Sequence, residues 1–285
     1  MQSATEKTPS RPTDRPTLGL GILSWRGYAS LRAALTTYRD AGFFTLFDDV
    51  LLFLPQIEKE GIAVALEFGI PYAGSTDNLG ILGGNQALAS VMTSDIILMV
   101  ENDYMLRETL DSAQAQLHRG VTALASGQAD VVRFRHRHLP GELWQMWKTH
   151  RYWPRSDAPY VDKLKSAVLR LFRGGKANRL LGNTIFTHDD AAKQFPDAIQ
   201  RRNGVDFFTS SRHINWANNA YMVRRSWFLE TIIPGALAQK TTRLVNGFPT
   251  IETELNSQWW RDQDFTIAIA DPGLFEHRRM NDRGY

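Results

Sequence analysis

The stretch DIILMVENDYML, Asp95 to Leu106, decides the reading of this chain. Ile96 to Val100 form an unbroken apolar run, the length of a buried strand and too short for an ordinary helix. The run stops at Glu101-Asn102-Asp103, and apolar residues then resume. Residues two apart on a strand point to the same side, so Glu101 and Asp103 converge if the strand persists through the triplet. Two neighbouring carboxylates repel, and each then tends to hold its proton. A divalent cation relieves the repulsion, and oxygen ligands of this kind suit Mg2+ or Mn2+. The plainer alternative is a polar loop that begins where the strand ends.

The flanking sequence places this strand in a repeating pattern. LGLGILSW (Leu18–Trp25) reads as a buried strand, and Tyr28 to Gly42 as a helix with Leu31, Leu35 and Tyr38 on one face. DVLLFLPQ (Asp49–Gln56) reads as a second strand closed by Pro55, and GIAVALEF (Gly61–Phe68) as a third. TDNLGILGGNQALASVMTS (Thr76–Ser94) reads as a turn entering a helix, with Asp77 or Asn78 as N-cap. Thr109 to Ser126 follows as a helix and ADVVRFRH (Ala129–His136) as a strand. Strands alternating with helices predict an α/β fold with a mostly parallel central sheet. Ligands of such sheets bind beyond the carboxyl ends of the strands, where Glu101 and Asp103 lie.

Composition narrows the class. The 285 residues are 43% hydrophobic and 22% charged, which suits a soluble globular protein with a large core. There is no cysteine, which excludes disulfides and thiolate metal sites and suits the cytosol. No apolar run reaches the roughly 18 residues of a membrane span. Residues 1–16 are polar and proline-rich without an apolar signal core, and read as a disordered tail. The net charge of +3 hides an asymmetry: Arg133 to Arg212 carries 16 Lys and Arg against 7 Asp and Glu, leaving the remainder at −6. A +9 segment favours the phosphates of nucleotides, nucleic acids or anionic lipids, or else forms a solvated Arg-rich surface. Within it, Leu164, Val168, Leu171 and Phe172 recur at helical spacing between Lys and Arg. That pattern fits a basic helix lying on a membrane, or one packed on the domain with its basic face outward. Trp144, Trp147 and Trp153 stand nearby as a lid over an acceptor, a lipid contact or core aromatics.

The order of these features resembles the nucleotide-sugar-dependent glycosyltransferases of the GT-A fold, particularly the inverting family-two group. In that family the apolar strand ends in an acid-x-acid motif, here Glu101-Asn102-Asp103. The preceding turn and helix carry Asn-x-Gly and then an Asn, here Asn78-Leu79-Gly80 and Gly83-Gly84-Asn85. IETELNSQWW resembles the family's helix-opening acidic stretch and puts Glu252 at the position of the general base, with Glu254 and Asp262 as rivals. GLFEHRR offers His277 as a late metal ligand, and NWANNAYMVRRSWF resembles the segment lining the acceptor pocket. The resemblance covers residues 18–132 and 214–279. Two positions depart from it: the triplet begins with Glu, and the second strand ends in Pro55-Gln56 where the family places an Asp against the nucleotide base.

The resemblance implies one domain over residues 17–285: a nucleotide-sugar-binding half (17–132), a helical basic insertion (133–213) and an acceptor-binding half (214–285). It implies a Mn2+ or Mg2+ cofactor held by Asp103, Glu101 and His277. Donor contacts are expected from Ser24, Trp25, Gln56, Asn78, Gly80, Asn85, Asn102, Arg278 and Arg279. Acceptor contacts are expected from Trp216, Asn218 and Asn219. The donor is expected to be a UDP- or GDP-linked sugar and the acceptor a glycan or glycolipid, with no nucleic-acid partner. The expected setting is the cytoplasm, including the inner face of the membrane through residues 133–213, in surface polysaccharide or glycoconjugate synthesis. Two alternatives stand beside this reading. A sugar-phosphate nucleotidyltransferase needs a Gly-rich basic loop that SWRGYAS matches poorly. A non-enzymatic binder of nucleic acid or membrane accounts for the basic segment but not for the triplet, Glu252 or His277. An NAD site at Gly19-x-Gly21 is excluded because the third glycine is Ser24 and the pair lies inside the strand.

Overall fold

The computed structural model describes residues 15–141, 146–203, 205–241 and 243–278. The expected tail lies outside the described residues up to position 14. The chain runs β1 (Leu18–Leu23), α1 (Tyr28–Asp40), β2 (Asp49–Leu54), α2 (Lys59–Phe68), β3 (Tyr72–Gly74), α3 (Gly80–Val91), β4 (Ile96–Glu101), β5 (Tyr104–Leu106), α4 (Leu110–Ala125) and β6 (Val131–Arg133). Helices α5 (Met146–Tyr152), α6 (Tyr160–Phe172), α7 (Gly174–Leu181) and α8 (Ala191–Gln194) follow, then β7 (Ile199–Arg202), β8 (Asp206–Ser210) and β9 (Tyr221–Arg224). A helical run passes from α9 (Arg225–Trp227) through a π-turn to α10 (Ile233–Leu237). The chain closes with α11 (Glu252–Leu255), α12 (Gln258–Asp262), β10 (Thr266–Ile269) and β11 (Phe275–His277).

Nine strands form one sheet in the order β3-β2-β1-β4-β9-β6-β10-β8-β7, while β5 and β11 pair separately. Only β9 and β8 run against the other seven, so the expected mostly parallel α/β sheet is present. The helical part of the basic segment ends at α8. Its last portion, β7 and β8, extends the central sheet instead of standing outside it.

Side-chain alternation divides the core between the two sheet faces. Leu20, Ile22, Leu52, Leu54, Leu98 and Val100 join α1 and α4 on one face. Leu23, Phe53, Ile97 and Met99 meet α3 and the helical run after β9 on the other. Gly19 and Gly21 serve this packing: a Cβ there would lie 2.5 and 2.9 Å from Met92, at the end of α3.

One element differs in type from the sequence reading. GIAVALEF is helical, as part of α2, and not a third strand. Gly61, Val64 and Ala65 are the buried positions, spaced three and four apart, and Gly69 closes the helix at φ +64°. Short apolar runs do not separate strand from helix by themselves, and the parallel link from β2 to β3 needs a crossover that a helix supplies.

Candidate active site

The triplet does not continue as a strand. β4 ends at Glu101, the chain turns through Asn102 and Asp103, and β5 starts at Tyr104. Convergence of Glu101 and Asp103 by strand alternation therefore does not occur. Asn102 instead clamps the β1–α1 turn, donating from Nδ2 to the Arg26 carbonyl at 3.0 Å. Arg26 and Gly27 hold positive φ there, and a Cβ on Gly27 would lie 2.5 Å from that amide nitrogen.

Asp103 is turned toward the last strand. β5 pairs antiparallel with β11, which sets Tyr104 opposite His277. Asp103 Oδ2 lies 3.0 Å from His277 Nε2, with both residues buried. The imidazole stacks on the Tyr104 ring at 5.0 Å and 15°. The Arg278 N–H donates to the Asp103 carbonyl at 2.8 Å, while the Arg278 side chain is exposed. His277 Nδ1 is buried and has no hydrogen-bond partner among the described residues.

One carboxylate and one imidazole form a donor set compatible with Mn2+ or Mg2+, which leave remaining positions to water and phosphate oxygens. Among the described residues no group of three or more His, Asp and Glu forms a metal cluster, so Glu101 does not complete a three-ligand set. Glu101 faces the phenols of Tyr104 and Tyr221. Burial pushes both hydroxyls far up, and the Glu101 and Glu252 carboxylates add to the shift in each case.

Glu252 opens α11 directly after Ile251, whose φ is +61°. Its Oε1 accepts the Asn218 N–H at 2.8 Å. Burial raises the Glu252 carboxyl above its ordinary value, opposed by that N–H and by Arg133, His277 and Arg243. Both rivals have local partners. Glu254 is 2% exposed and accepts the Thr250 N–H at 3.1 Å. Asp262 is exposed on α12 and accepts from Gln258 Nε2 at 2.8 Å.

On the donor side, the structure joins Trp25 to Gln56 at the carboxyl ends of β1 and β2. Trp25 Nε1 donates to Gln56 Oε1 at 3.2 Å, and Arg26 covers the indole at 5.0 Å. Ser24 is buried and donates to the Arg26 carbonyl at 3.2 Å, within the same turn. Asn78 does not act as the N-cap of α3. Its Oδ1 accepts the Gly80 N–H at 2.9 Å, a local turn before the helix, and Leu79 is the cap residue. Gly80 has φ +63°, and a Cβ there would lie 2.3 Å from Phe248 Cβ. Asn85 is buried; it donates to the Ile81 carbonyl and accepts the Tyr221 hydroxyl at 3.1 Å. Arg279 lies outside the described residues.

On the acceptor side, Trp216 is a core residue. It is 1% exposed, packs against Tyr221, Phe228 and Trp260, and donates from Nε1 to Asn218 Oδ1 at 3.0 Å. Asn219 accepts the Tyr104 hydroxyl at 2.6 Å and lines a cavity of about 40 Å3 with Arg133, Arg135, Asn183 and Asn215. Trp144 lies outside the described residues. Trp147 is 64% exposed, and Trp153 packs under α6 and α7, donating to the Ala177 carbonyl at 2.8 Å.

Sequence reasoning missed Tyr104, Tyr221 and Arg133. Tyr104 follows the triplet and Tyr221 follows Asn218-Asn219, so position alone carried a hint. Arg133 carried none. Its guanidinium is 4% exposed, is lowered to about 10 by burial, and donates to the Asn215 carbonyl at 2.6 Å.

The sequence matches no protein-family model and no curated protein. Solved structures similar to this one include residues 1–349 of S. aureus TarS, at 8% identity and TM-score 0.49, covering 92% of this chain and 60% of that one. Another is the mannosyltransferase PcManGT from Pyrobaculum calidifontis in complex with GDP-Man and Mn2+, at 12% identity and TM-score 0.34, covering 43% and 36%. A third is glucosyl-3-phosphoglycerate synthase from Mycobacterium tuberculosis in complex with Mn2+ and UDP-glucose, at 11% identity and TM-score 0.33, covering 41% and 43%. The chain spans less than two thirds of the length of each.

Proposed function

We propose that this chain is a metal-dependent glycosyltransferase of the GT-A fold. It moves a sugar from a UDP- or GDP-linked donor to a hydroxyl of a glycan or glycolipid, with inversion. The observation that carries the reading is the meeting of Asp103 with His277 at the tip of β4, with Glu252, whose carboxyl burial raises above its ordinary value, near the same histidine. A strand-end carboxylate, a distant imidazole and a poised carboxylate are the parts that a diphosphate leaving group and an attacking hydroxyl require.

Asp103 and His277 would hold Mn2+ or Mg2+, with Glu101 contributing through water. When bound, the ion supplies positive charge against the negative charge that builds on the departing diphosphate. Glu252 takes the proton of the acceptor hydroxyl on Oε2, since Oε1 is held by the Asn218 N–H. A carboxyl held above its ordinary value by burial is a stronger base than a solvent-exposed one. Arg133 favours that ionised form. Attack from the face opposite the leaving group inverts the anomeric carbon. Trp25 and Gln56 border the nucleotide, and Asn219 borders the acceptor beside the cavity of Arg133. The reaction takes place in the cytoplasm, on a glycan or on a lipid-linked acceptor at the inner membrane face.

A thermal-shift panel of UDP, GDP, CMP and dTDP, with and without Mn2+, tests this on wild type and Asp103→Ala. A Mn2+-dependent rise for one nucleotide, lost in the variant, supports the reading and identifies the donor class. Stabilisation by CMP without metal points to a monophosphate-linked donor and removes the role given to Asp103. No shift from any nucleotide overturns the reading.

A further inference from the structure

Helix α6 presents its apolar face to solvent. Tyr160, Val161, Leu164, Val168, Leu171 and Phe172 are 77, 57, 54, 46, 84 and 83% exposed. At 100° per residue these six fall within an arc of about 120°. The opposite side is the one that packs. Ser166 is buried and donates to the Arg151 carbonyl at 2.8 Å, Leu169 leans on the small cluster of Tyr152, Ala177 and Leu180, and Arg170 stacks on Trp153 at 4.7 Å. The sequence left two arrangements open for this helix; it packs on the domain through this side, and the apolar stripe is outward together with Lys163 and Lys165.

The stripe is bordered by positive charge. Residues 160–181 hold six Lys and Arg and one Asp. Of these, Lys163, Lys165, Arg173 and Lys176 are exposed. Elsewhere in the basic segment Arg133, Arg135 and Arg137 are buried, Arg137 and Arg201 both pair with Asp271, and the exposed Arg155 and Arg212 pair with Asp157 and Asp264. Four exposed cations, Lys163, Lys165, Arg173 and Lys176, therefore lie along the apolar stripe of α6 and the start of α7, with a single Asp among them.

We infer that the outward face of α6 is a docking surface for an anionic lipid bilayer. An apolar stripe flanked by Lys and Arg is the pattern of a helix lying in the interface, with Leu and Phe among the acyl chains and the cations at the headgroups. Charge selects this occupant over a second copy of the chain, because two copies meeting through α6 would bring two sets of exposed cations together. It also selects against zwitterionic lipid, whose headgroups carry no net negative charge to attract the cations. Among the described residues no helix is long and apolar enough to cross a membrane, so α6 lies on the surface. This inference is independent of the transfer chemistry: it holds or fails whether or not Glu252 is a base.

The test is co-sedimentation of the full chain with extruded vesicles. One set is pure phosphatidylcholine, and the other contains 30% phosphatidylglycerol, a composition of about one anionic lipid in three. Wild type is expected to pellet with the anionic vesicles, to stay in solution with the neutral ones, and to be released as salt screens the headgroups. Leu171→Glu with Phe172→Glu is expected to lower the partition coefficient by about tenfold or more, since each side chain is worth at least that when buried. Lys163→Glu with Lys165→Glu is expected to lower it without touching the stripe. All four positions are exposed, so an unchanged melting temperature identifies intact fold. Nucleotide-dependent thermal shift is read on the same variants, and its retention separates this surface from the catalytic reading. Wild type remaining in solution with both vesicle sets overturns the inference. So does a dimer in light scattering that Leu171→Glu dissociates while vesicle binding is absent.

Discussion

Asp103 Oδ2 and His277 Nε2 lie 3.0 Å apart although 174 residues separate them in the chain. The contact exists because β11 returns antiparallel to β5 and sets His277 beside Tyr104. Asp103→Asn keeps the shape and removes the charge. It is expected to cost about 1–2 kcal/mol of stability, the usual cost of weakening a buried charge-assisted hydrogen bond. The Mn2+-dependent nucleotide shift is expected to vanish at the same time. Melting curves with and without Mn2+ separate the two effects: a variant that still gains the full shift removes Asp103 from the metal.

Glu252→Gln is expected to lower kcat by about 100- to 10,000-fold, the range of a lost general base. Donor binding, followed by nucleotide thermal shift, should remain. Equal loss of nucleotide binding and turnover would make Glu252 a binding residue instead.

The same carboxyl has a pH signature. Burial raises it above 4.5, so the folded chain holds this proton more tightly than the unfolded chain does. Its contribution to stability is therefore greatest at acid pH and falls as pH rises from 4.5 through the raised value. Glu252→Gln removes that titration. Urea denaturation of both proteins across this window should show the variant gaining on wild type as pH rises. A constant difference would contradict the raised value.

Gly80→Ala probes the contact between α3 and the loop before Glu252. The position combines φ +63° with a gap already filled by Phe248, and Leu82 N–H donates to the Pro249 carbonyl at 3.4 Å. Neither the backbone nor the neighbour accommodates a methyl group, so a loss of about 1–3 kcal/mol is expected. The displaced loop leads into Thr250 and Glu252, so turnover should fall with stability. A variant as stable as wild type would mean that the loop has room to move.

Trp216→Leu tests a core assignment against an acceptor contact. The indole is fully buried among three aromatic rings, and a large-to-small change there typically costs about 3 kcal/mol or more. A lowered melting temperature with unchanged acceptor KM in the surviving folded fraction is the expected result. An intact melting temperature with a raised KM would return Trp216 to the pocket.

The local elements were largely legible, because hydrophobic periodicity and terminal signals act within a dozen residues. Thr109 and Ser126 bound α4 where the sequence put its ends, and the β4 strand stops at Glu101. GIAVALEF was misread because an eight-residue apolar run carries both periods, and the β2–β3 crossover decides between them. The triplet itself announced charge at a strand tip. Its geometry was not local: the chain turns at Asn102, so Asp103 meets His277 and Glu101 faces Tyr104 and Tyr221.

By itself, then, the sequence determined the alternation of strands and helices, the acidic tip of β4 and the apolar repeat of α6. Each of these is written in neighbouring residues. Tertiary structure alone decided that His277 meets Asp103, that Glu252 lies near His277 while Glu254 accepts the Thr250 N–H, that Trp216 is core, and that the α6 repeat points outward. Those outcomes depend on which strands pair and which face of a helix finds a partner. Pairing and burial join residues far apart in the chain, and no local period encodes them.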